Sequence, residues 1–160
     1  MQSKQIVRLV ASVTSGILMA IQTASAQVVE PDEHGFMIAS PEAMIPAEGS
    51  RRVLLYGDPS QPGLYAIRIT FPPGSGSEPH YHSTARYITV IKGTWWVSSG
   101  PEADIYDPDH MKPVTAGTFI YQPPEGHHYD MAKDEEVTVQ IMGMGPVVTT
   151  SIPQPADTIR

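Results

Sequence analysis

From Arg52 onward, apolar, β-branched and aromatic residues gather in short strand-like runs, the longest alternating with a period of two, and turn formers separate them. Val53-Leu54-Leu55-Tyr56 ends at Gly57-Asp58-Pro59, and Leu64 to Phe71 (LYAIRITF) alternates until Pro72-Pro73-Gly74. Arg86 to Lys92 (RYITVIK) stops at Gly93, and Thr94 to Ser98 (TWWVS) follows at once. Thr118 to Gln122 (TFIYQ) stops at Pro123-Pro124, Val137 to Met142 (VTVQIM) at Gly143, and Val147 to Ile152 ends the series. β-Branched and aromatic residues at this period, with no helical spacing between them, predict strands. Many short strands at close spacing predict an all-β domain, a sandwich or a closed barrel. Lys92-Gly93 predicts a tight hairpin. Pro101 to Pro113 predicts a longer polar loop carrying His110.

The two ends have a different texture. Lys4 and Arg8 precede a 13-residue, mostly apolar stretch from Leu9 to Ile21, and Ala24-Ser25-Ala26 has the A-x-A form of a cleavage site. These are the three parts of a secretory signal peptide, so residues 1–26 are expected to be removed and the product to be periplasmic or secreted. The stretch is short of the roughly 20 apolar residues that a membrane span needs, so no membrane partner is expected after cleavage. Residues 27–51 are polar, with Pro31, Pro41 and Pro46, and read as a leader arm that packs along the domain or pairs at a sheet edge. Residues 52–153 form the β domain, and 154–160 a frayed tail. A chain of 160 residues fits one domain.

Composition removes several chemistries. With no Cys there is no disulfide framework, thiolate metal site or thiol nucleophile. Ten Lys and Arg against seventeen Asp and Glu give a net charge of −7, which argues against nucleic acid as a partner. Removing Lys4 and Arg8 makes the remainder more acidic still.

Six His remain as candidate chemistry. His34 in the leader and His110 in the loop read as solvated surface residues. His80 and His82 are i and i+2 in a strand-like context, so both project from one face and can supply two metal ligands. A third ligand has to come from a distant strand, and His128, directly after the Pro123-Pro124-Glu125-Gly126 turn, begins one. His127 and Tyr129 fall on the opposite face. Asp130 shares the face of His128 and could orient an imidazole by a hydrogen bond.

The spacing of these residues resembles the two motifs of the cupin superfamily. The first motif here is Gly74, five residues, His80-Tyr81-His82, three residues, Arg86, six residues, Gly93. The second is Gly117, five residues, Pro123-Pro124-Glu125, two residues, His128, three residues, Ala132. Seven of ten motif positions match; Arg86 stands at the family's Glu, Glu125 at its Gly and Ala132 at its Asn. The resemblance implies a single-domain jelly-roll β-barrel. It also implies a divalent metal (Fe, Mn, Zn, Ni or Cu) held by His80, His82 and His128 without the usual carboxylate. Three neutral imidazoles suffice for such a site and leave coordination positions open. Glu78 or Glu125 swinging in as a replacement carboxylate is the less favoured alternative.

Arg86 has two readings. It binds the anionic group of a small-molecule substrate through its forked donors, or it forms an internal ion pair with Glu78, Glu125 or Asp130. Gln140 alternates with Val137, Val139 and Ile141, so it either lines the pocket as a substrate-binding residue or points to solvent. Trp95 and Trp96 point to opposite faces, one to the core and one to an exposed interface fit for a homodimer. The leading expectation is an exported three-His enzyme, dioxygenase-like or Lewis-acid in chemistry. The alternatives are a non-catalytic metal- or ligand-binding module and a metal-free barrel.

Overall fold

The computed structural model describes residues 27–28 and 30–155. The expected signal peptide and residues 156–160 of the tail lie outside them. The strands are β1 (Gln27–Val28), β2 (Arg52–Tyr56), β3 (Gly63–Phe71), β4 (Ser75–Gly76), β5 (His80–His82), β6 (Arg86–Lys92), β7 (Thr94–Ser99), β8 (Lys112–Thr115), β9 (Phe119–Gln122), β10 (His128–Ala132), β11 (Val137–Gly145) and β12 (Thr149–Ser151). Single turns of 3-10 helix at Glu42–Met44, Gly100–Asp104 and Pro108–His110 are the only helical pieces among the described residues. One sheet runs β1-β2-β3-β11-β6-β9, and the other β12-β5-β10-β7-β8 with β4 on β10. Apart from a short parallel contact of β1 with β2, the pairs are antiparallel, and the sheets face each other as a jelly roll.

One local expectation fails. β6 and β7 do not form a hairpin: β6 pairs with β11 and β9, whereas β7 pairs with β10 and β8 in the other sheet. Gly93 is the corner between the sheets. It has φ 79°, and a Cβ there would lie 2.5 Å from the Glu136 carbonyl oxygen. Only glycine meets both demands, which is why a Lys-Gly pair at a strand end can mimic a hairpin signal. A second difference is β8, which grows from the end of the polar loop. Its Pro113 is tolerated because β8 is an edge strand with one ladder to satisfy.

The core follows from the alternation. Val137, Val139 and Ile141 of β11 are buried, while Thr138, Gln140 and Met142 face outward. Register extends this across the sheet, so that Ile67, Ile141, Ile88 and Ile120 form one inward row over β3, β11, β6 and β9. Toward one end lies an aliphatic row of Ile69, Val139 and Val90. Toward the other end the next inward row is Tyr65, Gly143, Arg86 and Gln122. The barrel therefore has a dry end and a polar end.

One tryptophan meets expectation and the other departs from it. Trp95 is buried and packs 6.1 Å from Phe71, but Trp96 is also partly covered, with Lys133 Nζ 4.2 Å above its ring. Exposed apolar area lies elsewhere, on the outer face of the first sheet at Tyr87, Phe119, Tyr121 and Met142.

Candidate metal and ligand site

The second sheet supplies the histidines at the polar end. His80 lies opposite His128 across β5 and β10, and His82 opposite Thr149 across β5 and β12. Their rings meet with centroids 4.2 Å (His80–His128), 4.9 Å (His80–His82) and 5.1 Å (His82–His128) apart. One nitrogen from each of the three lies within 4.8 Å of the others.

Hydrogen bonds fix which nitrogen that is. His80 Nδ1 is 2.7 Å from the Glu78 carbonyl oxygen and His128 Nδ1 is 2.8 Å from that of Gly126. A carbonyl only accepts, so both Nδ1 atoms are donors and the neutral rings carry their lone pairs on Nε2. His82 reaches the same state by another route. Its Nε2 accepts from the Arg86 guanidinium, which only donates, so its Nδ1 donates to Thr149 Oγ1 at 3.0 Å. Burial, reinforced by the neighbouring Arg86, holds His82 down to about 3. Burial, against the opposing Gly126 carbonyl, likewise holds His128 at about 3. His82 and His128 therefore offer neutral nitrogen lone pairs well below neutral pH, and with His80 they form the donor set of a divalent site.

The turn that delivers His128 keeps the shape the motif's glycine would give. Glu125 adopts φ 57°, and its N–H donates 2.8 Å to the His82 carbonyl. Gly126 packs so tightly on Pro123 that a Cβ would come within 2.9 Å of its ring. Its carbonyl is thereby held under His128 Nδ1.

Arg86 stands at the edge of the cluster. None of the ion pairs among the described residues includes it, so the internal pairing with Glu78, Glu125 or Asp130 is not formed. Its Nε is enclosed without a partner, and Glu78 and Glu125 are exposed at the surface. Asp130 is buried two residues from His128, with Oδ1 unpartnered, and burial pushes its carboxyl up. The imidazoles are oriented by Glu78, Gly126 and Thr149, with no hydrogen bond from Asp130.

Gln140 does not belong to the site. It faces outward from β11, where its Oε1 accepts from Arg68 Nη2 at 3.0 Å. His127 also points away from the cluster, bonded to Asp104 at 2.5 Å and stacked on Tyr81.

Sequence reading missed Tyr65, Gln122, Arg52 and Thr149. A signal existed for two of them: Tyr65 and Gln122 are two residues from the inward Ile67 and Ile120. The pairing of Arg52 and Thr149 with the site depends on long-range register and leaves no local trace.

Two cavities flank the cluster. One, of about 360 Å³, is walled by Ile88, Trp95, Val97, Val114 and Ile120 and reaches His128 and Gln122. The other, of about 230 Å³, is lined by Arg52, Tyr65, Ile67, His82, Arg86 and Thr149.

A jelly-roll barrel with converging imidazoles at its polar end is the class that fold and site define. The chain belongs to the cupin family, whose model matches residues 58–158. Among solved structures, a double-stranded β-helix domain protein from Klebsiella pneumoniae is similar at 18% identity and TM-score 0.54, over 72% of this chain and 96% of that one. A cupin 2 domain-containing protein from Halorhodospira halophila is similar at 18% identity and TM-score 0.52, over 80% and 81%. The DMSP lyase DddQ from Ruegeria pomeroyi is similar at 13% identity and TM-score 0.51, over 62% of this chain and 50% of the lyase, so the chain spans half of that enzyme. At these identities the likeness is one of fold. No functionally curated protein matches the sequence.

Proposed function

We propose that the protein is a three-His divalent-metal enzyme acting outside the cytoplasm on a small anionic substrate. The observation that carries this is the convergence of one ring nitrogen from each of three histidines whose Nδ1 atoms are each hydrogen-bonded, which leaves the lone pairs on Nε2. His80, His82 and His128 would hold Fe, Mn, Zn, Ni or Cu. When bound, the ion supplies Lewis acidity or, as iron, O₂ chemistry.

The chain's own residues do the rest. The Glu78 and Gly126 carbonyls and the Thr149 hydroxyl hold the rings in one tautomer and orientation. Burial keeps His82 and His128 unprotonated. Arg86, a cation without a carboxylate partner, binds and orients the substrate anion. A lyase of similar fold supports a catalytic reading without lending its substrate.

One observation favours a second reading, a ligand-binding module without catalysis: Arg86 already donates to His82 Nε2, the lone pair a metal needs. Elemental analysis by mass spectrometry separates the two. Untagged wild type is expected to retain about one equivalent of a divalent metal, lost in His80→Ala/His82→Ala. No metal in wild type, even after reconstitution, leaves the module reading.

A further inference from the structure

The two cavities differ in chemistry and lie on either side of the histidine cluster, His82 lining one and His128, its ring centroid 5.1 Å away, the other. The smaller carries two guanidinium-bearing residues and no carboxylate in its lining, on a chain of net charge −7. Arg86 enters it with the Tyr65 hydroxyl beside it, and Arg52 stands at its exposed rim. Gly143, between Tyr65 and Arg86 in register, makes room for both: a Cβ there would lie 2.8 Å from Tyr65 Oη. The larger cavity has an apolar wall of Ile88, Trp95, Val97, Val114 and Ile120, and its polar side includes Ser98, Ser99 and the buried, unpartnered Gln122 Oε1. Cross-strand neighbours serve the two cavities, Arg86 lining one and its register partner Gln122 the other. His82 lines the first and His128 the second, so the histidine cluster sits at their junction.

We infer that the ligand is a monocarboxylate with an apolar, ring-sized body, its carboxylate beside Arg86 in the smaller cavity and its body beside Trp95 in the larger. In that pose the middle of the molecule lies against the three imidazoles. One guanidinium inside and one at the rim can neutralise a single carboxylate through a forked contact, and phosphate, which the same fork also fits, is set against it in the test. The larger cavity falls in the size range of small-molecule sites, about 300–1,000 Å³, and its apolar wall accounts for a body that acetate lacks. The inference rests on Arg86 as an anion anchor and adds the class of ligand; it does not depend on which metal the histidines hold.

The test is calorimetric titration of the full-length protein, chelator-treated and zinc-reconstituted, with zinc content measured in each sample. The probes are 3-phenylpropanoate, 3-phenylpropanamide, acetate and inorganic phosphate. The expected result is binding of 3-phenylpropanoate, with each of the other three at least about tenfold weaker. Arg86→Gln is expected to weaken the phenylpropanoate about tenfold or more and leave the amide unchanged. Ile120→Trp, which fills the larger cavity, is expected to weaken the phenylpropanoate and leave acetate unchanged. Near-ultraviolet circular dichroism establishes that both variants are folded, and each readout stands alone if the other variant is not.

Amide or phosphate binding as tightly as phenylpropanoate would overturn the carboxylate assignment. Acetate binding as tightly would overturn the apolar compartment, and absence of any phenylpropanoate binding would overturn the whole inference. Zinc uptake without carboxylate binding leaves the metal proposal standing and sinks this one. Carboxylate binding with the expected variant pattern but no zinc uptake does the reverse.

Discussion

Acid should unfold this protein through two particular histidines. His82 and His128 are held near 3 by burial, against an ordinary value of 6.5. Folded-state values below the unfolded one mean that their contribution is complete above about 6.5 and is lost as the pH falls toward 3. At pH about 5 the unfolded chain protonates both rings and the folded chain neither, so each costs about 1.5 pH units, or about 2 kcal/mol. The pair therefore removes about 4 kcal/mol between pH about 7.5 and about 5, a large share of a typical domain's stability. Asp130, raised by burial, shifts in the opposite sense and is shared by every variant considered. The assay is urea denaturation at the two pH values, in chelator so that no metal competes for the rings. Wild type is compared with His82→Gln/His128→Gln, whose amides do not titrate. Wild type should lose about 4 kcal/mol more than the double variant over this range. Equal losses would show that the two rings are not held neutral by burial and would refute the reasoning.

Three further outcomes follow from the same contacts. Arg86→Gln should bind metal at least as tightly as wild type, since it removes the donor on His82 Nε2 and a positive charge; competition with a metallochromic chelator reads this. Weaker metal binding would mean that Arg86 supports the cluster instead of competing for it. Gly143→Ala should destabilise the fold by about 1–3 kcal/mol, because its Cβ meets Tyr65 Oη at 2.8 Å and the Ala85 carbonyl at 2.9 Å; thermal melting checks it. Glu125→Gly should raise the melting temperature, relieving a left-handed residue that costs about 1–2 kcal/mol when it carries a Cβ.

The strands were legible because a half-buried strand writes its two faces into alternate residues. Val137 to Met142 and Leu64 to Phe71 appear where the alternation places them, the first extended by three residues and the second by one. The histidine cluster was legible because i and i+2 share a face and the motif spacing fixes the third member. Pairing was not. Gly93 joins two sheets through a left-handed corner, and a turn residue between two runs does not say whether they bond to each other. Gln140 shows the same limit: alternation put it opposite Val139, but only the arrangement of the sheets decided which of the two faces the interior. Arg86 was identified as an inward cation, while its lack of a carboxylate partner depended on where Glu78, Glu125 and Asp130 fell.

That lack of a partner shapes the site. A carboxylate at position 86 would lower the charge beside a divalent ion; a guanidinium raises it. At about 6 Å and an effective dielectric of about 20, a divalent ion and Arg86 repel by about 5 kcal/mol. The neutral imidazoles cannot offset this, and the nearby Asp130 is pushed by burial toward its protonated form. The remaining source of negative charge is a ligand. An anion in the Arg52–Arg86 cavity would remove most of that repulsion and compete with His82 for the guanidinium, freeing the lone pair that the proposed metal would use. If both bind as proposed, anion and metal would favour each other, and by linkage each would raise the other's affinity by the same factor. On the proposed metal reading, arginine in place of a carboxylate at position 86 would make the site complete only when its anionic ligand is present.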